Sequence, residues 1–218
     1  RTLSLKGRCS TNWATRSKAA NIGSIIYFSP VIYVILCYFI FTKLSFFIVL
    51  IGYMGSGKTS VAIELSKQIS KPFIDLDNLI EKSEKMTIKT IFDKYGEIYF
   101  RKKERFYLEN IINSNNYSII SLGGGTPCYS DNMKLLQSRE NVYTFFLKVS
   151  PKNVSKRLFF ERKKRPLISH IDSFQSMEKF VSKHLFERMS YYSKSTHQID
   201  TNNKSISEIA KNILALLT

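Results

Sequence analysis

The chain is poor in cysteine and histidine, and neither residue is arranged for metal chemistry. It has 3 of each in 218 residues. Cys9, Cys37 and Cys128 lie far apart, with no histidine at ligand spacing. This excludes a zinc site and a disulfide framework, and fits a reducing compartment, with Cys128 a small loop residue. His170, His184 and His197 are scattered and form no catalytic set. Zinc-finger spacing and RNP-type aromatic motifs are missing as well. Internal repeats and low-complexity tracts are also absent. Acidic residues are missing altogether from residues 1–45, which carry Arg1, Lys6, Arg8, Arg16, Lys18 and Lys43. No methionine precedes Met54, so the chain is expected to be truncated, processed, or read from an upstream or unusual start.

What is present fits one globular domain with extra length. Hydrophobic residues make up 44% and charged residues 23%, enough to bury a core. The net charge of +16 comes from 33 basic against 17 acidic residues. Two partners suit such a charge, a nucleic acid or a small anionic substrate. Without a nucleic-acid module, the small anion is the expected one.

The chain divides near Ser45. Residues 1–45 form a basic and then apolar extension, with an almost wholly apolar run from Ile25 to Phe41 interrupted by Pro30. That run is at the short end of what spans a bilayer. Three readings stand: a membrane anchor, a transit-type targeting segment, or flanking sequence foreign to the domain. Positive charge ahead of an anchor would leave the body outside. A cytoplasmic monomer is therefore expected, with membrane contact confined to residues 25–41 and plastid-type targeting or anchoring as the alternative.

From residue 46 to 218 the pattern alternates between strands and helices. Strands are expected at Phe46–Ile51, Pro72–Ile74, Tyr117–Leu122, Val142–Val149 and His197–Asp200. Helices are expected at Lys58–Ser70, Ile98–Asn113, Lys152–Glu161, Glu178–Tyr192 and Ile206–Leu217. Continuous apolar strands separated by helices predict an α/β fold with a parallel sheet covered on both faces.

The first strand runs into Gly52-Tyr53-Met54-Gly55-Ser56-Gly57-Lys58-Thr59, followed by Ser60 and a helix. This is the phosphate loop G-x-x-x-x-G-K-[ST]. Its glycines let the backbone wrap phosphate oxygens, and the helix N-terminus adds positive potential. Lys58 would reach the β- and γ-phosphates, and the Thr59 hydroxyl would hold Mg²⁺. Guanine-reading Asn-Lys-x-Asp is absent, which points away from GTPases and toward a small-molecule kinase.

Two further clusters sit at strand ends, where open parallel sheets bind ligands. In Phe73-Ile74-Asp75-Leu76-Asp77 the two acids alternate, so one would face a metal and the other a substrate hydroxyl. The plainer reading has Asp77 capping the next helix. In Ser121-Leu122-Gly123-Gly124-Gly125, bare backbone suits close ligand approach, against the plainer reading of a flexible turn.

Together with Phe100-Arg101-x-x-Glu104 and Arg165-Pro166-Leu167, these motifs resemble the shikimate kinase family over nearly the whole body from Phe46 onward. The resemblance implies a three-layer, doubly wound sandwich with a five-stranded parallel sheet, like nucleoside monophosphate kinases. It implies transfer of the ATP γ-phosphate to the 3-hydroxyl of shikimate, with Mg²⁺. By the same resemblance, Gly52, Gly55, Ser56, Gly57, Lys58, Thr59, Ser60, Arg157 and Arg165 would bind ATP, and Thr59 and Asp75 the metal. Asp77, Arg101, Gly123, Gly124, Gly125 and Arg188 would bind shikimate, with Glu104 orienting Arg101. Lys58, Asp77 and Arg165 would be catalytic. Residues 200–204 would flank the adenine opposite Arg157, and a lid at about 160–176 would be mobile and close over the substrates. Two alternatives remain: a kinase for another polyol or acid such as gluconate, and a membrane-tethered nucleotide-binding protein without turnover.

Overall fold

The computed structural model describes residues 46–114 and 116–217. The expectations for residues 1–45 lie outside the described residues. Among those described, no helix is long and apolar enough to cross a membrane.

The elements follow in chain order as β1 (Phe47–Ile51), α1 (Lys58–Ile69), β2 (Phe73–Asp75), α2 (Leu76–Glu84), α3 (Ile88–Asn113) and β3 (Ile119–Ser121). Then come α4 (Asn132–Gln137), β4 (Val142–Lys148), α5 (Pro151–Glu161), α6 (Phe174–Tyr192), β5 (His197–Asp200) and α7 (Ile206–Ala215). The five strands form one sheet in the order β2-β3-β1-β4-β5. Every neighbouring pair is parallel.

The central strand β1 shows why the sheet must be covered twice. Its sequence Phe-Ile-Val-Leu-Ile is buried throughout. Phe47, Val49 and Ile51 point into a core on one face, with residues of α2, α3, α5 and α6. Ile48 and Leu50 point into a second core built with α1 and α7. Period-two alternation splits one apolar run between two layers. The expected doubly wound sandwich is the observed one.

Three elements depart from the expected pattern, the short helix α4 among them. A helix, α2, begins directly after β2, capped by Asp75, whose side chain accepts the Asn78 amide. Helix α3 starts ten residues earlier than expected, at Ile88, where the Thr87 side chain caps the Thr90 amide. It then breaks at Gly96, whose φ of 78° and ψ of 175° belong to neither helix nor strand. The break hides the first segment from a search for one continuous helical period. It also sets the direction of the second segment, which carries Arg101 and Glu104.

A side chain at Gly96 would meet nothing within 4 Å. Any cost of adding one therefore comes from the backbone, which sits in a region essentially reserved for glycine. Gly96→Ala is expected to lower stability by about 1–3 kcal/mol, read by thermal or urea denaturation. An unchanged midpoint would mean that the break is not needed.

Candidate active site

The carboxyl ends of β1, β2 and β3 meet in one place, and each delivers one of the sequence motifs. After β1, the loop Gly52–Gly57 turns into α1. At Gly55 a positive φ of 76° combines with a Cβ position only 3.1 Å from Leu158 and 3.2 Å from Val154 on α5, so both conformation and space require glycine. Lys58 is buried, and its ammonium donates to the Gly52 carbonyl at 2.8 Å and the Tyr53 carbonyl at 2.9 Å. Burial pushes its pKa down to about 8, although Asp77 and Asp75 pull the other way. Ser56 is buried too, and its hydroxyl has no partner among the described residues.

After β2, the structure corrects the expected alternation of Asp75 and Asp77. The strand stops at Asp75, and Asp77 lies in the first turn of α2. The helix cap is Asp75, not Asp77. The Asp75 carboxylate uses one oxygen for that cap and accepts the Thr59 hydroxyl at 3.1 Å with the other. Asp77 is thereby left to face the cleft. Burial, then the neighbouring Glu104 and Asp75 carboxylates, push its pKa up to about 6, against the pull of Lys58 and Arg101.

After β3, the chain passes Gly123, Gly124 and Gly125. A Cβ on Gly123 would stand 2.9 Å from Asp77 Oδ1, and one on Gly125 would stand 3.0 Å from Arg101 Nη2. At Gly124 it would meet the Met54 amide at 3.2 Å, the Gly52 carbonyl at 3.5 Å and Arg188 Nη1 at 3.6 Å. The plainer reading of this segment as a flexible turn does not account for such crowding. The Gly124 carbonyl is also held by the Tyr192 hydroxyl at 2.5 Å.

Two clefts open on this junction. The first, about 470 Å³, is lined by the phosphate loop from Met54 to Ser60 and by Asp75, Asp77, Gly123 and Gly124. Arg157, Glu161, Arg165, Thr201 and Lys204 complete its rim. Arg157 donates to the Gly55 carbonyl at 3.2 Å, and Arg165 pairs with Glu161 at 2.7 Å. Of the neighbouring cations, Arg162 turns away onto the Phe159 carbonyl and ring.

The second cleft, about 1010 Å³, contains Arg101 and Arg188. Arg101 donates to Glu104 at 2.6 Å and to Glu97 at 3.0 Å, and it lies 4.0 Å over the Tyr129 ring. Arg188 lies 5.5 Å over Tyr53, whose hydroxyl is 3.4 Å from His184 Nδ1. Phe92, Cys128 and Leu167 add apolar wall, so Cys128 is more than a loop filler.

The expected residues thus gather at one sheet edge. Sequence reasoning missed Tyr53, Glu97, Phe92, Tyr129 and Tyr192. Contacts with Arg188 and Arg101 mark Tyr53 and Tyr129, while Phe92 is marked by lining the second cleft and Tyr192 by its bond to the Gly124 carbonyl. The lid expected at about 160–176 contains two short turns, Arg162–Lys164 and Pro166–Ile168. Ile168 and Ile171 are buried in the core, while Leu167 faces the second cleft.

The family model described as shikimate kinase matches residues 54–218. A shikimate kinase from Flavobacterium johnsoniae is 45% identical over 170 residues, covering 78% of this chain and 98% of that protein. One from Bacillus subtilis is 35% identical, with 78% and 88% covered. Among solved structures, a shikimate kinase from Bacteroides thetaiotaomicron superposes with a TM-score of 0.71 at 30% identity, covering 79% of this chain and 98% of that one. The complex of an Acinetobacter baumannii shikimate kinase with shikimate gives 0.71 at 27% identity, covering 82% and 96%.

The raised pKa of Asp77 has a consequence for stability. The folded state holds this proton up to about pH 6, whereas an unfolded aspartate releases it near 3.8. Folding is therefore weakened as pH rises through that window and stays weakened above it. For the ligand-free protein, Asp77→Asn is expected to raise the melting temperature by a few degrees at pH 7, the difference vanishing below about pH 4. A melting temperature below that of the parent at pH 7 would contradict the assigned environment.

Proposed function

Because the chain belongs to the shikimate kinase family, we propose that the two clefts are the halves of one phosphoryl-transfer site and that the residues lining them divide the work as follows. The protein transfers the γ-phosphoryl group of ATP to the 3-hydroxyl of shikimate, a step of chorismate and aromatic amino-acid biosynthesis. One observation carries the reading: a single methyl group at Gly124 would touch the phosphate loop, at the Met54 amide 3.2 Å away, and come within 3.6 Å of Arg188. Nucleotide and acceptor bound in the two clefts would meet there.

ATP occupies the first cleft. Loop amides and the N-terminus of α1 receive the phosphates. Lys58 exchanges its bonds to the Gly52 and Tyr53 carbonyls for phosphate oxygens. Ser56 and Ser60 line the same loop, with Arg157 and residues 201–204 on the base side. Thr59 and Asp75 suit Mg²⁺, since two hard oxygen atoms stand 3.1 Å apart beside the phosphates. When bound, that ion neutralises charge on the β- and γ-oxygens. Among the described residues no cluster of three or more His, Cys, Asp and Glu is placed to hold a metal, which suits an ion shared with the nucleotide.

Shikimate occupies the second cleft. Its carboxylate is gripped by Arg101 and Arg188, planar donors that make paired bonds to a carboxylate. Glu97 and Glu104 fix the first guanidinium, and the Tyr53 ring supports the second. The ring extends from the second cleft toward Gly123–Gly125 at the border with the first, where its hydroxyl meets Asp77. Asp77 accepts the hydroxyl proton as the oxygen bonds to the γ-phosphorus and the bond to the β–γ bridging oxygen breaks. A carboxylate with a pKa of about 6 is a better base than an ordinary aspartate. Arg165 leaves Glu161 to meet the transferred phosphoryl group. The segment of about 160–176 serves as a lid whose motion is limited by buried Ile168 and Ile171, so closure carries Leu167 and Arg165 rather than a whole domain.

ADP release is expected to depend on added shikimate and to stay near background with gluconate. Release independent of acceptor would remove the kinase reading. Asp77→Asn is expected to lower kcat by about 10²–10⁴-fold while ATP affinity, read by calorimetry, is kept. Arg101→Ala is expected to raise the shikimate KM by about tenfold or more with little change for ATP. Equal losses for both ligands would contradict the carboxylate assignment.

A further inference from the structure

Thr126 belongs to none of the motifs discussed and lines neither cleft. It is nonetheless the far end of a chain of short bonds that reaches the acceptor site. Its hydroxyl donates to Glu104 Oε1 at 2.6 Å, and the other oxygen of Glu104 accepts Arg101 Nη1 at 2.6 Å. Thr126 is fully buried, and Glu104 is 1% exposed. The main chain of Thr126 is held on both sides. Its amide donates to the Gly123 carbonyl at 3.2 Å, and its carbonyl accepts the side-chain amide of fully buried Asn132 at 2.8 Å.

We propose that Thr126 is a positioning residue for acceptor binding, whose hydroxyl locks the buried Glu104 carboxylate in the orientation that aims Arg101 at the substrate carboxylate. The proposal rests on the reading of Arg101 as a carboxylate grip. Glutamate has three side-chain torsions, and an arginine bond to one oxygen leaves the carboxylate free to swing about that contact. A second donor on the other oxygen removes this freedom. The other acid on Arg101, Glu97, has a side chain 51% exposed and cannot supply the same rigidity. Thr126 also bounds the space next to Asp77: the Cβ position of Gly123 is 2.9 Å from both Thr126 Oγ1 and Asp77 Oδ1. A hydroxyl that lets Glu104 go would therefore loosen the acceptor wall at its most crowded point, while the phosphate loop keeps its own contacts.

Removing the hydroxyl leaves a buried carboxylate oxygen without its donor, which is costly. Steady-state kinetics of Thr126→Val, Thr126→Ser and Arg101→Ala test the idea, with shikimate and ATP varied separately. Thr126→Val is expected to raise the shikimate KM about tenfold and to leave the ATP KM within about twofold. Thr126→Ser, which restores the hydroxyl, should return both to near the parent values. In an Arg101→Ala background, Thr126→Val should add little, because the group it aims is gone. Should the valine variant not fold, Thr126→Ala is read in the same way. A hydroxyl-free variant with the parent shikimate KM, a serine variant as impaired as valine, or parallel losses for ATP would each overturn the proposal. If Arg101→Ala weakens shikimate and Thr126→Val does not, only the role of Thr126 falls. If Arg101→Ala has no effect on shikimate, the carboxylate reading falls and takes this one with it.

Discussion

The backbone of Gly123–Gly125 is crowded by polar groups that leave room only for hydrogen atoms. A Cβ on Gly124 would meet the Met54 amide, the Gly52 carbonyl and Arg188, one on Gly123 would meet Asp77, and one on Gly125 would meet Arg101. Much else serves this close approach. The parallel sheet brings the ends of β1 and β3 together, since β1 pairs with β3 in register from Ile48 and Ile119 onward. Tyr192, at the end of α6, holds the Gly124 carbonyl from behind. A methyl group at any of the three glycines would press on a nucleotide-loop atom or an acceptor-binding side chain. In the proposed site, the distance between phosphate donor and acceptor would thus be set by main chain, which is stiffer than any pair of side chains.

The same crowding concentrates charge where water is scarce. Lys58 is held below its ordinary pKa and Asp77 above its own, both mainly by burial. Their mutual attraction only partly offsets the loss of hydration. In the ligand-free protein Lys58 makes do with two backbone carbonyls, and the Ser56 hydroxyl has no partner among the described residues. In the proposed function, phosphate and hydroxyl would supply the partners these groups lack. Binding sites commonly trade stability for function in this way. Ligand binding then stabilises the fold by mass action.

The acceptor side is organised in depth. Two arginines reach the cleft, but each is held from behind: Arg101 by Glu97, Glu104 and the Tyr129 ring, Arg188 by the Tyr53 ring. Tyr53 contributes twice, since its carbonyl also accepts Lys58. One residue of the phosphate loop therefore touches both the nucleotide lysine and the second acceptor arginine. No sequence pattern announces that connection, because Tyr53 occupies an unspecified position of the loop motif.

The sequence by itself determined the layered α/β fold and the phosphate loop, and it named the acids, arginines and glycines that the structure gathers around the two clefts. These features are local: period-two burial in β1, a loop motif at a strand end, and glycine where backbone must come close. Asp75 and Asp77 do face different ways, but not by strand alternation, because a helix begins at Leu76. Tertiary structure alone decided which acid caps and which faces the cleft, where α3 breaks at Gly96, and that Thr126, Tyr53 and Tyr129 stand behind the binding groups. Those outcomes depend on contacts between residues far apart in the chain, such as Glu104 with Thr126 and Tyr53 with Arg188. Local propensity carries no information about partners that only the folded sheet brings within reach.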